Sequence, residues 1–92
     1  MRVDFLGLQA FLAIAERRSF QRAATHLNLS QTALSHRMRK LEDDLCVKLL
    51  VRAGREVTLT REGLDLLPKA RQSIADIGAS LDALRSQGRS RQ

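Results

Sequence analysis

Residues 30–45 read SQTALSHRMRKLEDDL, from Ser30 to Leu45. Leu34, Met38, Leu41 and Leu45 recur at spacings of four, three and four. On a helix of 3.6 residues per turn they form one stripe, suited to a core. Thr32, His36 and Arg39 fall on the opposite face, with Ser35 at its edge. They carry donors and acceptors of the kind that contact base edges and phosphates. Ser30 offers the side chain of a helix N-cap.

Working outward, a shorter helix precedes this one. Phe20, Ala23, Ala24 and Leu27 follow i, i+3, i+4, i+7. Asn28-Leu29 breaks it, and asparagine tolerates the left-handed backbone of a sharp turn. Helix, short turn and second helix with a polar outer face compose a helix-turn-helix, whose second helix enters a major groove. On spacing alone, an αα-hairpin inside a helical bundle fits as well.

Charge separates the two. The chain of 92 residues carries 16 Lys+Arg and 10 Asp+Glu, a net +6. Arg17, Arg18, Arg22, Arg37, Arg39, Lys40, Lys48, Arg52 and Arg55 fall in one span with only Glu42, Asp43 and Asp44 as acids. The basic excess coincides with the helix pair, as a nucleic-acid footprint does, although an ordinary solvated basic surface has the same count. Three Phe and no Tyr or Trp leave too few rings for a single-strand binder that stacks bases. Duplex DNA suits the composition better.

Other classes are excluded or disfavoured. No run of 18 apolar residues offers a membrane span, and Asp4, Glu16, Arg17 and Arg18 interrupt any leader-like N-terminus. A cytoplasmic location without membrane contact is therefore expected. The single cysteine, Cys46, excludes an intrachain disulfide. No metal-spaced cluster, phosphate-cradling glycine loop or Ser–His–Asp constellation appears, so neither cofactor, metal nor catalysis is expected. His26 lies off the apolar stripe and reads as a solvated histidine.

In chain order, a first helix runs from about Asp4 to Arg17, capped by Asp4, with Phe5, Leu8, Phe11, Leu12 and Ala15 as its apolar stripe. Gly7 weakens it locally. Ser19 caps the second helix, and Ser19, Gln21 and Arg22 lie where a helix N-terminus favours a phosphate; simple capping by Ser19 is compatible with that. In the third helix Gln31 and Thr32 occupy the first turn, suited to adenine and to a thymine methyl. His36 is suited to a guanine or a phosphate, or is a plain surface histidine. Arg39 and Lys40 are placed for phosphates. Arg37 lies nearer the core edge, to cover apolar surface or pair with an acid. The acids Glu42, Asp43 and Asp44 repel DNA and mark where the helix leaves the groove.

Two β-like segments follow. Lys48–Arg52 and Glu56–Leu59 flank Ala53-Gly54-Arg55, with Gly54 supplying the turn. A basic hairpin after a helix-turn-helix is a wing, and Arg52 and Arg55 near its tip reach phosphates or a minor groove; a solvated hairpin with two surface arginines is the plainer alternative. Thr60 then caps a last helix over 61–85, about 37 Å long at ~1.5 Å per residue. Leu67, Ala70, Ile74, Ile77, Leu81 and Leu84 recur at three, four, three, four, three. This is a heptad seam, longer than so small a domain covers, and it predicts a homodimer. Packing of the whole seam on its own domain is the alternative. Pro68 removes one backbone bond and bends the helix. Residues 86–92 are polar and read as a frayed end or a linker.

The whole pattern is mainly α: a winged helix-turn-helix of three helices plus a two-stranded wing over 1–60, then a dimerisation helix. Here the residues resemble the N-terminal DNA-binding domain of LysR-type transcriptional regulators. The resemblance rests on Phe11–Glu16 (FLAIAE), Ser19–Ala24 (SFQRAA), Leu27–Ser35 (LNLSQTALS), Arg39–Glu42 (RKLE), Leu45–Leu50 (LCVKLL) and Leu59–Leu67 (LTREGLDLL). It implies sequence-specific binding of an imperfect palindrome by a dimer. It places Gln31, Thr32, Ser35 and His36 where the family reads bases, and Ser19, Gln21, Arg39, Arg52 and Arg55 where it holds backbone or minor groove. It also implies a further effector-binding domain of two α/β lobes, absent from this sequence, so that the chain is an excised fragment or a truncated regulator. RNA polymerase is then a partner of the full-length protein. Four positions depart from the family pattern. Cys46 replaces a glycine at a helix end, Thr32 a frequent proline, His36 a frequent arginine and Leu50 a common phenylalanine. The Cys46 thiol is expected to be buried and inert. The rival to DNA binding is a protein-interaction module, which would expose an apolar patch in place of Thr32, His36 and Arg39.

Overall fold

The structure is a computed structural model that describes residues 2–90. The elements are α1 (Phe5–Arg17), α2 (Phe20–Leu27), α3 (Gln31–Leu45), β1 (Leu50–Ala53), β2 (Glu56–Leu59) and α4 (Arg61–Ser90). Each helix start has the oxygen acceptor its sequence offers. Asp4 Oδ1 accepts from Gly7 N–H at 2.8 Å, Ser19 Oγ from Arg22 N–H at 3.1 Å and Ser30 Oγ from Ala33 N–H at 3.0 Å. Thr60 Oγ1 accepts from Gly63 N–H at 3.1 Å. Such caps satisfy amides that the helix itself leaves without acceptors.

The helix ends share one device. Arg18, Asn28 and Cys46 are all left-handed, with φ of 54°, 57° and 59°. Beyond α2, Leu29 N–H donates to Ala24 O and Asn28 N–H to Thr25 O. Beyond α3, Val47 N–H donates to Glu42 O and Cys46 N–H to Asp43 O. Both pairs are the 6→1 and 5→2 bonds of a Schellman end, a motif that glycine usually completes.

α1 is the hub, packed against α2, α3, α4 and β2. Its buried residues are Gly7, Ala10, Phe11, Ala13, Ile14 and Ala15. The buried face differs from the expected stripe: Phe5 is exposed and Leu8 and Leu12 are only half-buried, while Ala10, Ala13 and Ile14 fill the centre. A helix surrounded by several elements buries more than one face, and small side chains let the neighbours approach. The stripes of α2 and α3 agree with their periodicity: Phe20, Ala23, Ala24, Leu34, Met38 and Leu41 are buried, and Leu27 and Leu45 pack at the edge.

The wing is shorter at its base than its sequence suggests. β1 and β2 pair antiparallel from Leu50↔Leu59 to Ala53↔Glu56, so the loop is Gly54-Arg55 and Ala53 belongs to the strand. Gly54, at φ +62°, supplies the positive φ that a two-residue hairpin loop requires. Lys48 and Leu49 are held otherwise. Lys48 O accepts from Thr60 Oγ1 at 2.6 Å, and Leu49 N–H donates to Glu42 Oε2 at 2.6 Å.

α4 leaves this body as a 30-residue helix. Its beginning is pressed onto the wing base, where a Cβ on Gly63 would collide with Leu49 O. Ala70 is buried, and Arg71 Nε meets Glu16 Oε2 of α1 at 3.2 Å. Pro68 lies inside the helix without ending it. Pro68 and Leu64, whose carbonyl loses its usual donor, are both exposed, so solvent is at hand there. The polar stretch expected to fray from Ser86 is helical through Ser90, and Arg91 and Gln92 lie outside the described residues. Once a long helix is nucleated, each added residue gains a bond, which outweighs a modest glycine penalty at Gly88.

Candidate nucleic-acid interface

Two grooves flank α3. The larger, of about 920 Å³, runs between the end of α1, the start of α2, the first turn of α3 and the wing. Arg17, Arg18, Arg22, Arg52 and Arg55 line it against a single acid, Glu56. Ser19, Gln21 and Gln31 complete the polar wall. Five arginines, the first turn of an eight-residue helix and its capping Ser19 line one open channel. Together they concentrate positive potential where a polyanion backbone would run. Ser19 does cap α2; that bond uses its oxygen as acceptor and leaves the hydroxyl proton to donate.

The second groove, about 590 Å³, lies on the other side of α3 and is lined by Asp4, Leu6, Ser30, Thr32, Ala33, His36, Arg37 and Lys40. Thr32, His36, Arg39 and Lys40 are exposed and Ser35 is half-buried. The residues expected to read bases are thus divided. Gln31 faces the arginine-lined groove, whereas Thr32 and His36 face the second, with Arg39 on the ridge between. Arg37 is half-buried and forms no ion pair among the described residues. Asp43 lies on the same helix face as Thr32, His36 and Arg39, about 16 Å beyond Thr32 and about 6 Å beyond Arg39 at ~1.5 Å per residue. The polar ridge therefore ends in an acid.

Three contributions were not visible from spacing. Arg17 and Arg18 counted only as charge, yet they wall the groove because the left-handed Arg18 ends α1 beside Ser19. The Arg52 guanidinium carbon lies 3.9 Å from the centroid of the Phe20 ring. Glu42, grouped in sequence with the repelling acids, turns inward. Its Oε2 accepts from Leu49 N–H at 2.6 Å and Leu50 N–H at 3.3 Å, and its Oε1 lies 3.9 Å from Lys48 Nζ. Parity along β1 was the available signal for Arg52, since it shares a face with Leu50 and pairs with buried Val57. Cys46 contradicts its expectation. The thiol is exposed, because a left-handed residue closing a helix turns its side chain away from the core. His26 is exposed, as expected.

Residues 6–64 match the profile described as bacterial regulatory helix-turn-helix protein, lysR family. The chain belongs to the LysR family. It is 50% identical over 72 residues to YxjO of Bacillus subtilis, an uncharacterized HTH-type transcriptional regulator, covering 78% of this chain and 25% of that one. It is 39% identical over 86 residues to the dual regulator OxyR of Escherichia coli K12, covering 94% and 28%. The LysR-family chain thus spans about a quarter of the length of these relatives. Among solved structures, a CbnR DBD–DNA complex superposes with a TM-score of 0.81 at 36% identity, covering 94% of this chain and 99% of that one. A BenM DBD complex with catB site 1 DNA gives 0.86 at 28% identity, covering 94% and 97%. The winged helix-turn-helix followed by a long helix is therefore the fold of this LysR-family chain.

The expected dimer seam is divided by the tertiary structure. Ala70 is buried within its own chain, and Leu67 and Ile74 are half-buried. Ile77, Leu81 and Leu84 are 44%, 58% and 62% exposed. The apolar face left unpartnered is the distal half alone. No helix among the described residues is long and apolar enough to cross a membrane.

Proposed function

We propose that the chain binds duplex DNA in a sequence-specific manner, as a dimer, to regulate transcription in the bacterial cytoplasm. The single observation that carries this reading is the channel with five arginines and one acid beside the polar ridge of α3. In this reading residues 1–60 are the DNA-binding unit and 61–85, with the helical extension beyond, the dimerisation helix. α3 enters a major groove with Gln31, Thr32, Ser35 and His36 toward base edges. Ser19, Gln21, Arg22, Arg39, Lys40, Arg52 and Arg55 hold backbone or minor groove. The division of α3 between two grooves supports the assignment. A helix seated in a major groove has a phosphate strand on each side, and each side here offers cations: arginines toward the wing, Arg37 and Lys40 toward α1.

Ile77, Leu81 and Leu84 of two chains pair, with Ile74 at the start of the contact. The site is then an imperfect palindrome, because two-fold protein symmetry is mirrored in the DNA. In a longer protein that includes this unit, RNA polymerase is a further partner. A protein-interaction module would present an apolar surface on α3; the outward residues are instead Thr32, His36, Arg39 and Lys40.

The test is selection from random duplex followed by titration at several salt concentrations. A two-fold-symmetric site should be recovered. With ~6–10 phosphate contacts, affinity should fall roughly 10³–10⁵-fold between ~50 and ~200 mM salt. His36→Ala should relax one symmetric base position by about 1–3 kcal/mol. Weak binding even at low salt, with no sequence enriched, would overturn the reading.

A further inference from the structure

Arg52 is an exposed cation of the wing, and Phe20 is a core ring in the first turn of α2, 9% exposed. The two meet at 3.9 Å, the cation–π contact of the described residues. β2 packs on α1 and α4, whereas β1 packs chiefly on β2. A two-stranded ribbon is marginal by itself. The Arg52–Phe20 contact therefore ties the outer strand of the wing across the groove to the helix start capped by Ser19. It also constrains the guanidinium. With its central carbon over the ring, the guanidinium keeps the N–H donors that point away from the ring free, and those donors suit phosphate oxygens. Both residues line the arginine channel, beside Ser19, Gln21 and Arg22.

We propose that Phe20 is a positioning residue of the interface: its ring holds the Arg52 guanidinium so that the N–H edge receives a DNA phosphate at the N-terminus of α2. The inference rests on the duplex-binding reading above. It separates Arg52 from Arg55, which lies in the hairpin loop and has no ring contact among the described residues. Arg55 meets the DNA as a mobile charge, Arg52 as a pre-set donor pair. Pre-setting lowers the entropy lost on binding, since the side chain is already confined.

The test uses the whole chain and a duplex enriched by selection. Phe20→Leu keeps apolar bulk and removes the ring without touching any charge. It should lower affinity about 2- to 13-fold, the ordering cost of one long side chain that is no longer confined beforehand. The slope of log K against log salt should stay as it is, because the Arg52 charge is kept. Arg52→Gln should lower affinity and also reduce that slope by about 0.9, one phosphate contact, and the double variant should lose little more than Arg52→Gln alone. Arg52→Lys is a surface change that leaves the core intact, so it remains informative if Phe20→Leu does not fold. It should lose at least ~2-fold in affinity although its charge is kept. The proposal is overturned if Phe20→Leu binds with unaltered affinity, or if Arg52→Lys matches the parent chain. Failure of the duplex reading looks different: the unaltered chain itself then binds no duplex at low salt.

Discussion

Replacing Glu42 should loosen the wing more than any other single change outside the apolar core. Its side chain is 11% exposed, and Oε2 accepts two consecutive backbone amides, from Leu49 at 2.6 Å and Leu50 at 3.3 Å. A hydrogen bond to a charged group contributes about 1.5–3 kcal/mol, and a long one nearer ~0.5–1. The Lys48 pair adds little, because at 3.9 Å and with a 72% exposed lysine it is screened by solvent. Glu42→Ala should therefore cost about 2–4 kcal/mol. Glu42→Gln keeps an acceptor but loses the charge, and neutral bonds are about half as strong, so ~1–2 kcal/mol is expected. Urea unfolding of the three chains gives the order Glu, Gln, Ala in falling stability. At ~4–8 °C per kcal/mol for a domain this size, thermal midpoints should follow it. Amide exchange should locate the loss at Leu49 and Leu50. Equal stability of all three chains within ~0.5 kcal/mol, the usual span for surface changes, would refute the reasoning.

Other substitutions test other joints. Gly63→Ala should cost about 1–3 kcal/mol despite alanine's better helix propensity, since its Cβ would meet the Leu49 carbonyl oxygen rather than a side chain that can move; a gain in denaturation midpoint would contradict this. Cys46→Gly should stabilise by ~0.5–1 kcal/mol, because relief of a left-handed cost of ~1–2 exceeds the added unfolded-state entropy. The same unfolding assay reads it, and a loss of stability would count against the strain. Leu81→Asp should weaken the proposed self-association at least tenfold, by sedimentation, while leaving the monomer's circular dichroism unchanged, since Leu81 is 58% exposed. An unaltered dimer would place the contact elsewhere.

The sequence by itself determined the local structure. Ser19, Ser30 and Thr60 each precede a helix and each caps it, because a cap needs only an oxygen within three residues of its amide. The stripe from Leu34 to Leu41 is buried as its spacing requires, and Gly54 turns the hairpin. These are short-range effects, legible from neighbours along the chain. Cys46 was legible neither in backbone nor in exposure: standing where the resembled family has glycine, it left open a strained left-handed end or an end built differently, and the structure has the left-handed end with the residue exposed.

Tertiary structure decided what depends on elements far apart in sequence. Glu42 belongs to a run of three acids, and only the return of the chain at Leu49 turns it into an acceptor for two amides. Arg52 and Phe20 are brought together by the fold of the wing onto α2. α1 buries alanines in place of Phe5 because it is enclosed by several partners, a fact no single helical period contains. Periodicity marks α4 as one continuous seam. Packing on α1 takes Ala70 and leaves Ile77, Leu81 and Leu84 outside, because a 30-residue helix, about 45 Å long at ~1.5 Å per residue, outruns the body that covers its beginning.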